Sequence, residues 1–269
     1  MSKIIVAVAP VANAPVEGAD NPLTPEQIAT QVIACAEAGA SLVHLHVRDE
    51  AGAQTADLAA FSRTLDRIRT QSDIVIEAST GSPAGLSREE RCTALQEPRV
   101  ECASLNLGSF NLDDGVFANP WPDVRYWAGR MAEAGVRPLL VAFDTAMVHT
   151  AGWLMREGLL QPPFSFAFPM GFRGGQPPSA EHLVYLRSLL PAGAAWGLVN
   201  LEARDLGLHA VAAGLGVAVL RVGFEDSIYA APDRVAADNV ELVERLVHLL
   251  DLMGATPATP DEARKMLGV

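Results

Sequence analysis

His44 and His46, separated by Leu45 in the apolar, β-branched run Leu42-Val43-His44-Leu45-His46-Val47, are the side chains of this sequence best placed to do chemistry. The run reads as a strand. Side chains two apart leave the same face of a strand with Cβ atoms about 7 Å apart, close enough for both imidazoles to reach one metal ion. Taken alone, such a pair also fits two polar residues that close a strand. A second cluster, Arg221-Val222-Gly223-Phe224-Glu225-Asp226, ends another apolar run far along the chain. Read as extended chain, Arg221, Gly223 and Glu225 share one parity, which brings Glu225 toward His44 and His46 and makes Gly223 a space for ligand. Two imidazoles and a carboxylate suit Zn²⁺ with an open position for substrate oxygens. Asp226 has the opposite parity and needs a bend after Glu225 to enter the same pocket. There, a carboxylate beside a metal-bound carbonyl is a candidate base for an α-proton.

Groups so far apart in sequence need a scaffold that gathers strand ends. Apolar runs at about 4–9, 42–47, 73–79, 101–107, 137–143, 164–169, 194–200 and 216–223 predict eight strands, and their spacing of about 30 residues matches repeated βα units. Thr24-Pro25-Glu26-Gln27, Ser87-Arg88-Glu89-Glu90 and Thr259-Pro260-Asp261-Glu262 carry a hydroxyl N-cap with Glu or Gln three residues on, predicting helix starts. Gly39 and Gly135 each stand just before a strand, as helix C-caps. Eight alternations with no linker-like tract predict a single-domain (β/α)8 TIM barrel over residues 1–269, with its active site at the C-terminal ends of the strands. Ser79-Thr80, Ser104, Asn106 and Asp144 fall at such ends, as do the two clusters above.

At 269 residues and 49% apolar content the chain has enough material for one large core, and its net charge of −12 disfavours nucleic acid or an anionic membrane as partner. Cys35, Cys92 and Cys102 are odd in number and lack a C-x-x-C pair, which argues against a disulfide framework or thiolate metal site and fits a cytoplasmic location. The run Ile4–Ala9 stops at Pro10, too short for a secretory signal, and no stretch reads as a membrane span.

Several segments together resemble the β-keto acid cleavage enzymes, the family whose founding activity is 3-keto-5-aminohexanoate cleavage. The resemblance covers essentially the whole chain. It is carried by Val43-His44-Leu45-His46-Val47-Arg48, Ala78-Ser79-Thr80-Gly81, Ala103-Ser104-Leu105-Asn106-Leu107-Gly108-Ser109, Gly171-Phe172-Arg173-Gly174-Gly175, Arg221–Asp226 and Ala258–Arg264. It implies a zinc-dependent barrel, usually a homotetramer, that combines a β-keto acid with acetyl-CoA to give acetoacetate and a new acyl-CoA. By motif position His44, His46 and Glu225 resemble its metal ligands, and Ser79, Ser104, Arg221 and Asp226 its catalytic groups. Thr80, Asn106, Glu77 and Arg173 are further substrate-side candidates, Arg173 for a coenzyme A phosphate.

Where the family commonly carries a Pro-Glu-x-Glu pattern on strand five, this chain reads Pro138-Leu139-Leu140-Val141, so Val141 stands at a glutamate position. Val11-Ala12 replaces the usual Thr-Gly, and Asn200-Leu201-Glu202-Ala203-Arg204 a glycine-rich segment. The loss of Glu at position 141 and the apolar Val11 point to a less cationic substrate than an amino-substituted one. An inward Arg221 without a carboxylate is costly, and Glu77, inward by parity with Ser79, is the expected partner. His149, His182, His209 and His248 read as surface or packing residues, and Trp121, Trp127, Trp153 and Trp196 as core or subunit contacts. Two other readings stay open: a metal-dependent barrel hydrolase, which needs more histidines at strand ends five and six, and a metal-binding barrel that has lost catalysis.

Overall fold

Eight parallel strands form in the predicted order: β1 (Lys3–Val8), β2 (Leu42–Leu45), β3 (Val75–Ser79), β4 (Cys102–Asn106), β5 (Arg137–Val141), β6 (Ser165–Met170), β7 (Ala195–Asn200) and β8 (Val219–Val222). The computed structural model describes residues 2–12, 16–81, 85–112 and 114–269. Each strand pairs with the next, and β8 returns to β1 with Ile5 opposite Val219 and Ala7 opposite Arg221. The sheet therefore closes into a barrel. Around it lie α1 (Pro25–Glu37), α2 (Leu58–Arg69), α3 (Trp121–Ala134), α4 (Thr145–Arg156), α5 (Ala180–Ser188), α6 (Gly207–Gly214), α7 (Asn239–Leu252) and α8 (Pro260–Leu267).

Local signals act where the sequence puts them. Thr24 and Thr259 close capping boxes with Gln27 and Glu262, and Gly135 ends α3 in the left-handed conformation at φ 70°. The third signal gives a different element. Ser87 and Glu90 exchange the two capping contacts, 2.8 and 3.2 Å, but the following Glu90–Gln96 is a 3₁₀ helix. Pro98 forces its predecessor Glu97 into extended backbone, which stops the segment before an α-helix can propagate.

Alternation along the strands separates two apolar regions. Outward residues such as Val6, Val43, Ile76 and Leu105 pack against the helices in one continuous core. Inward residues at the strand beginnings, Ile5, Leu42, Val75, Cys102 and Val219, meet Ala263 and Leu267 of α8 in a small separate cluster. The C-terminal helix thus closes the N-terminal end of the barrel. Glu101, just before β4, receives Arg264 at 2.6 Å and Arg69 at 3.3 Å there. The opposite end stays open.

Candidate active site

At that open end the barrel encloses about 970 Å³ of space, its mouth included, bordered by residues from every strand or the loop that follows it. His44 leaves β2 and His46 follows it directly, and their rings stand 5.3 Å apart at 80°. Glu225 arrives from beyond β8. Its Oε1 lies 3.5 Å from His44 Nε2 and its Oε2 3.6 Å from His46 Nε2. One donor atom from each of the three residues lies within 4.8 Å of the others, a spacing that fits a single ion.

The route by which Glu225 gets there differs from an extended strand. β8 ends at Val222, and Gly223 turns at φ +132° so that its carbonyl accepts from the amides of Asp226 and Ser227. A Cβ on Gly223 would sit 2.3 Å from Ala9 O. Gly223 is therefore demanded by the close passage against β1 and not by room for ligand. The same turn brings Asp226 against Arg221, not into the cavity that Glu225 borders.

Glu77 does not pair with Arg221. It lies opposite His44 in the β2–β3 register, and its Oε1 sits 2.9 Å from His44 Nδ1. With Nδ1–H donated to that carboxylate, Nε2 presents its lone pair to the centre, the arrangement that fixes tautomer and ring in a metal-binding histidine. Arg221 faces Ala7 across the β8–β1 register and finds its carboxylate locally. Its Nε and Nη2 donate to Asp226 at 2.8 and 2.5 Å, and Nη2 lies 3.4 Å from Glu225.

Burial and charge pull against each other at these groups. Burial lowers the His44 pKa, but Glu77 and Glu225 outweigh it and the net shift is upward; for His46 burial prevails and the shift is downward. Both imidazoles, with the buried Arg221, hold Glu225 well below the ordinary carboxylate range against its own burial. Burial moves Asp226 upward despite Arg221. Three carboxylates, Glu77, Glu225 and Asp226, thus meet Arg221 and Arg48, an acidic excess that favours a cation at the two imidazoles.

Of the remaining sequence candidates, Ser79, Ser104 and Asn106 border the cavity. Ser104 Oγ accepts from the Thr80 amide at 3.2 Å, which leaves its proton for a ligand oxygen. Thr80 itself does not reach the cavity. Its hydroxyl donates to Ser104 O at 2.5 Å and its carbonyl accepts from Arg91, so it ties β3 to β4. Arg173 also lies off the cavity wall, exposed and 3.1 Å from Asp114, next to Phe172, which does border the space. Asp226 does not border this cavity; it lines a smaller neighbouring space, and Arg221, to which it is bound, borders both.

His209 is buried, with Nε2 3.2 Å from Arg221 O, and so steadies β8, a packing role. Trp127 and Trp196 are core residues, while Trp121 and Trp153 are partly exposed. Phe110, Phe143 and Phe172 also border the cavity, and the sequence signal for them is their place, each just after a strand end. At strand ends five and six stand Phe143 and Pro169, with Asp144 capping α4. The extra histidines a barrel hydrolase needs are absent from those positions.

Comparison with known proteins decides the family. The family model described as beta-keto acid cleavage enzyme matches residues 3–269. The chain belongs to that family. It is 34% identical to a 3-keto-5-aminohexanoate cleavage enzyme of Fusobacterium nucleatum over 100% of this chain and 99% of the relative. It is 32% identical to a 3-dehydrocarnitine:acetyl-CoA trimethylamine transferase of Rhizobium meliloti, covering 91% of this chain and 89% of that one. Among solved structures, a ternary complex of ObcA with a C4-CoA adduct and oxalate superposes with a TM-score of 0.82 at 22% identity, over 92% of this chain and 67% of that one. That likeness bears on the fold, the TIM barrel. Among the described residues, no helix is long and apolar enough to cross a membrane.

Proposed function

We propose that this family member is a zinc-dependent acyl exchanger, which converts a β-keto acid and acetyl-CoA into acetoacetate and the acyl-CoA of the remaining keto acid fragment. The observation that carries the reading is the meeting of His44, His46 and Glu225 beside Arg221 in one cavity, supported by relatives whose names specify cleavage or acetyl-CoA transfer. Zn²⁺ held by His44 Nε2, His46 Nε2 and a Glu225 oxygen would supply a Lewis acid for the keto and carboxylate oxygens of the substrate.

The chain's own residues do the rest. Arg221 offers a planar fork to an anionic oxygen, which a lysine would meet less well. Ser79 and Ser104 hydroxyls donate to substrate oxygens from the β3 and β4 side. As Arg221 turns toward substrate it releases one oxygen of Asp226, which takes the proton between the two carbonyl groups and holds it at that carboxylate. The carbanion attacks the acetyl thioester carbon, forming one C–C bond and expelling the CoA thiolate. The thiolate then adds to the original keto carbon, whose bond to the α-carbon breaks to release the acyl-CoA, and the enolate left behind takes its proton back from Asp226 to give acetoacetate. Arg173 is proposed to meet a phosphate of coenzyme A at the mouth, and Glu77 to hold His44. With this reading go a single domain, a homotetramer and a cytoplasmic location.

Incubation of the zinc-loaded protein with β-keto acids and acetyl-CoA tests it, with acetoacetate and the new acyl-CoA read by mass. Product without CoA dependence would make it a hydrolase, and binding without product a catalytically silent barrel. Asp226→Asn is expected to abolish exchange while zinc content stays near that of the unaltered protein; exchange retained in this variant would reduce Asp226 to a positioning role.

A further inference from the structure

The cavity has two unlike sides. His44, His46, Arg221 and Glu225 come from β2, β8 and the turn after β8, one side of the closed sheet. Across the barrel, the loops after β4, β5 and β6 contribute Phe110, Phe143 and Phe172. Phe110 and Phe143 stack with centroids 3.8 Å apart, and Phe172 stands edge-on to Phe143 at 5.4 Å. Leu112 and Val141 extend this wall.

Among the described residues, the ionisable side chains bordering the cavity are His44, His46, Glu77, Arg221 and Glu225, each already engaged within the metal and Arg221 cluster. The aromatic side holds none. Arg173, the nearest cation in sequence to that wall, does not border the cavity and pairs with Asp114, and Arg91, which lies over the cavity-lining Phe117, is off the lining too and is held by the Thr80 and Ala118 carbonyls and Asn119. Resting on the function proposed above, we propose that the substituent of the β-keto acid is an uncharged apolar chain, alkyl or aryl, seated against Phe110, Phe143 and Phe172. With its acidic head held at the cation side, the substrate projects this group across the barrel onto the wall. An ammonium or carboxylate there would be buried with no opposite charge, whereas a hydrocarbon loses nothing by leaving water and gains ring contact.

The test uses the zinc-loaded protein with acetyl-CoA and three matched substrates: 3-oxooctanoate, 3-oxoadipate and 3-keto-5-aminohexanoate. kcat/KM for the alkyl substrate is expected to exceed both charged ones by about 10²-fold or more, the scale of one unpaired buried charge. Calorimetric binding of the same three compounds reads the preference even where no turnover occurs. Failure of the function and failure of this proposal are thereby distinguishable. Tight alkyl binding without CoA-dependent product sinks the function and leaves the apolar site standing; turnover that favours a charged tail, or binding that ignores the tail, overturns the site. Phe172→Ala is expected to raise KM for 3-oxooctanoate while KM for acetyl-CoA stays within about twofold. If only the acetyl-CoA KM rises, the wall holds the pantetheine arm and the proposal is wrong.

Discussion

The two ends of this barrel use the same chemical ingredients for opposite purposes. At the N-terminal end Glu101 gathers Arg69 and Arg264, partly exposed, beneath a helix that seals the opening. At the C-terminal end Glu77, Glu225 and Asp226 gather around two imidazoles and Arg221 in a space left open. Below, one carboxylate between two guanidiniums is satisfied by its neighbours and by water. Above, carboxylates outnumber guanidiniums and water is scarce, so the arrangement is completed by something brought from outside. An ion cluster signals function through its charge imbalance and its access to a cavity, not through the residue types it contains.

Removing a donor from the upper cluster has the largest expected effect. His46→Ala should lose tight metal binding and lower acyl exchange by about 10³-fold, the scale of a metal's contribution of several kcal/mol. Metal content by mass spectrometry and acetoacetate formation check this, and full metal occupancy with normal turnover would erase the contrast between the ends. Next comes Arg221→Met, which strands the buried Asp226 and should destabilise the metal-free protein by about 3–5 kcal/mol in urea unfolding. Glu77→Gln should weaken metal affinity by about 10- to 100-fold by loosening His44, measured by competition with a chelator. Arg264→Ala at the lower end should cost about 1–3 kcal/mol of stability and leave kcat/KM unchanged. Altered turnover in that variant would show the two ends to be coupled.

The smallest effect lies on the barrel's outer side. Hydrogen bonds from Arg99 bring the Glu97 carboxyl down from 4.5 to about 2, with help from Ser62. A carboxylate depressed by folding adds stability that is fully present above its unfolded pKa and fades as pH falls through the folded one. The stability gap between the unaltered protein and Glu97→Gln should therefore be constant above about pH 5 and close between about pH 4.5 and 2. A gap independent of pH across that window would remove Glu97 as an ionised partner.

Periodicity was enough to read the barrel and its eight strands, because alternation and cap residues are local properties that each segment carries by itself. His44, His46 and Glu225 were likewise legible as a set, two of them through spacing alone. Pairings across the barrel are not legible in this way. With no glutamate on strand five, inward parity makes Glu77 the expected partner of Arg221, yet register sets Glu77 beside His44 and leaves Arg221 beside Ala7. Thr80 just past β3, Arg173 in the loop after β6 and Asp226 in the turn after β8 all miss the cavity, since rotation after a strand end obeys loop packing and not parity.

The residues themselves determined which groups exist, which strands bear them and that a divalent ion suits them, for those matters depend on side-chain chemistry and on periods of two and 3.6. Only the closed structure decided that Gly223 must turn against Ala9, that Arg221 locks onto Asp226, and that phenylalanines from three separate loops form one wall. These outcomes depend on distances between segments remote in sequence, and closure of the sheet sets those distances all at once.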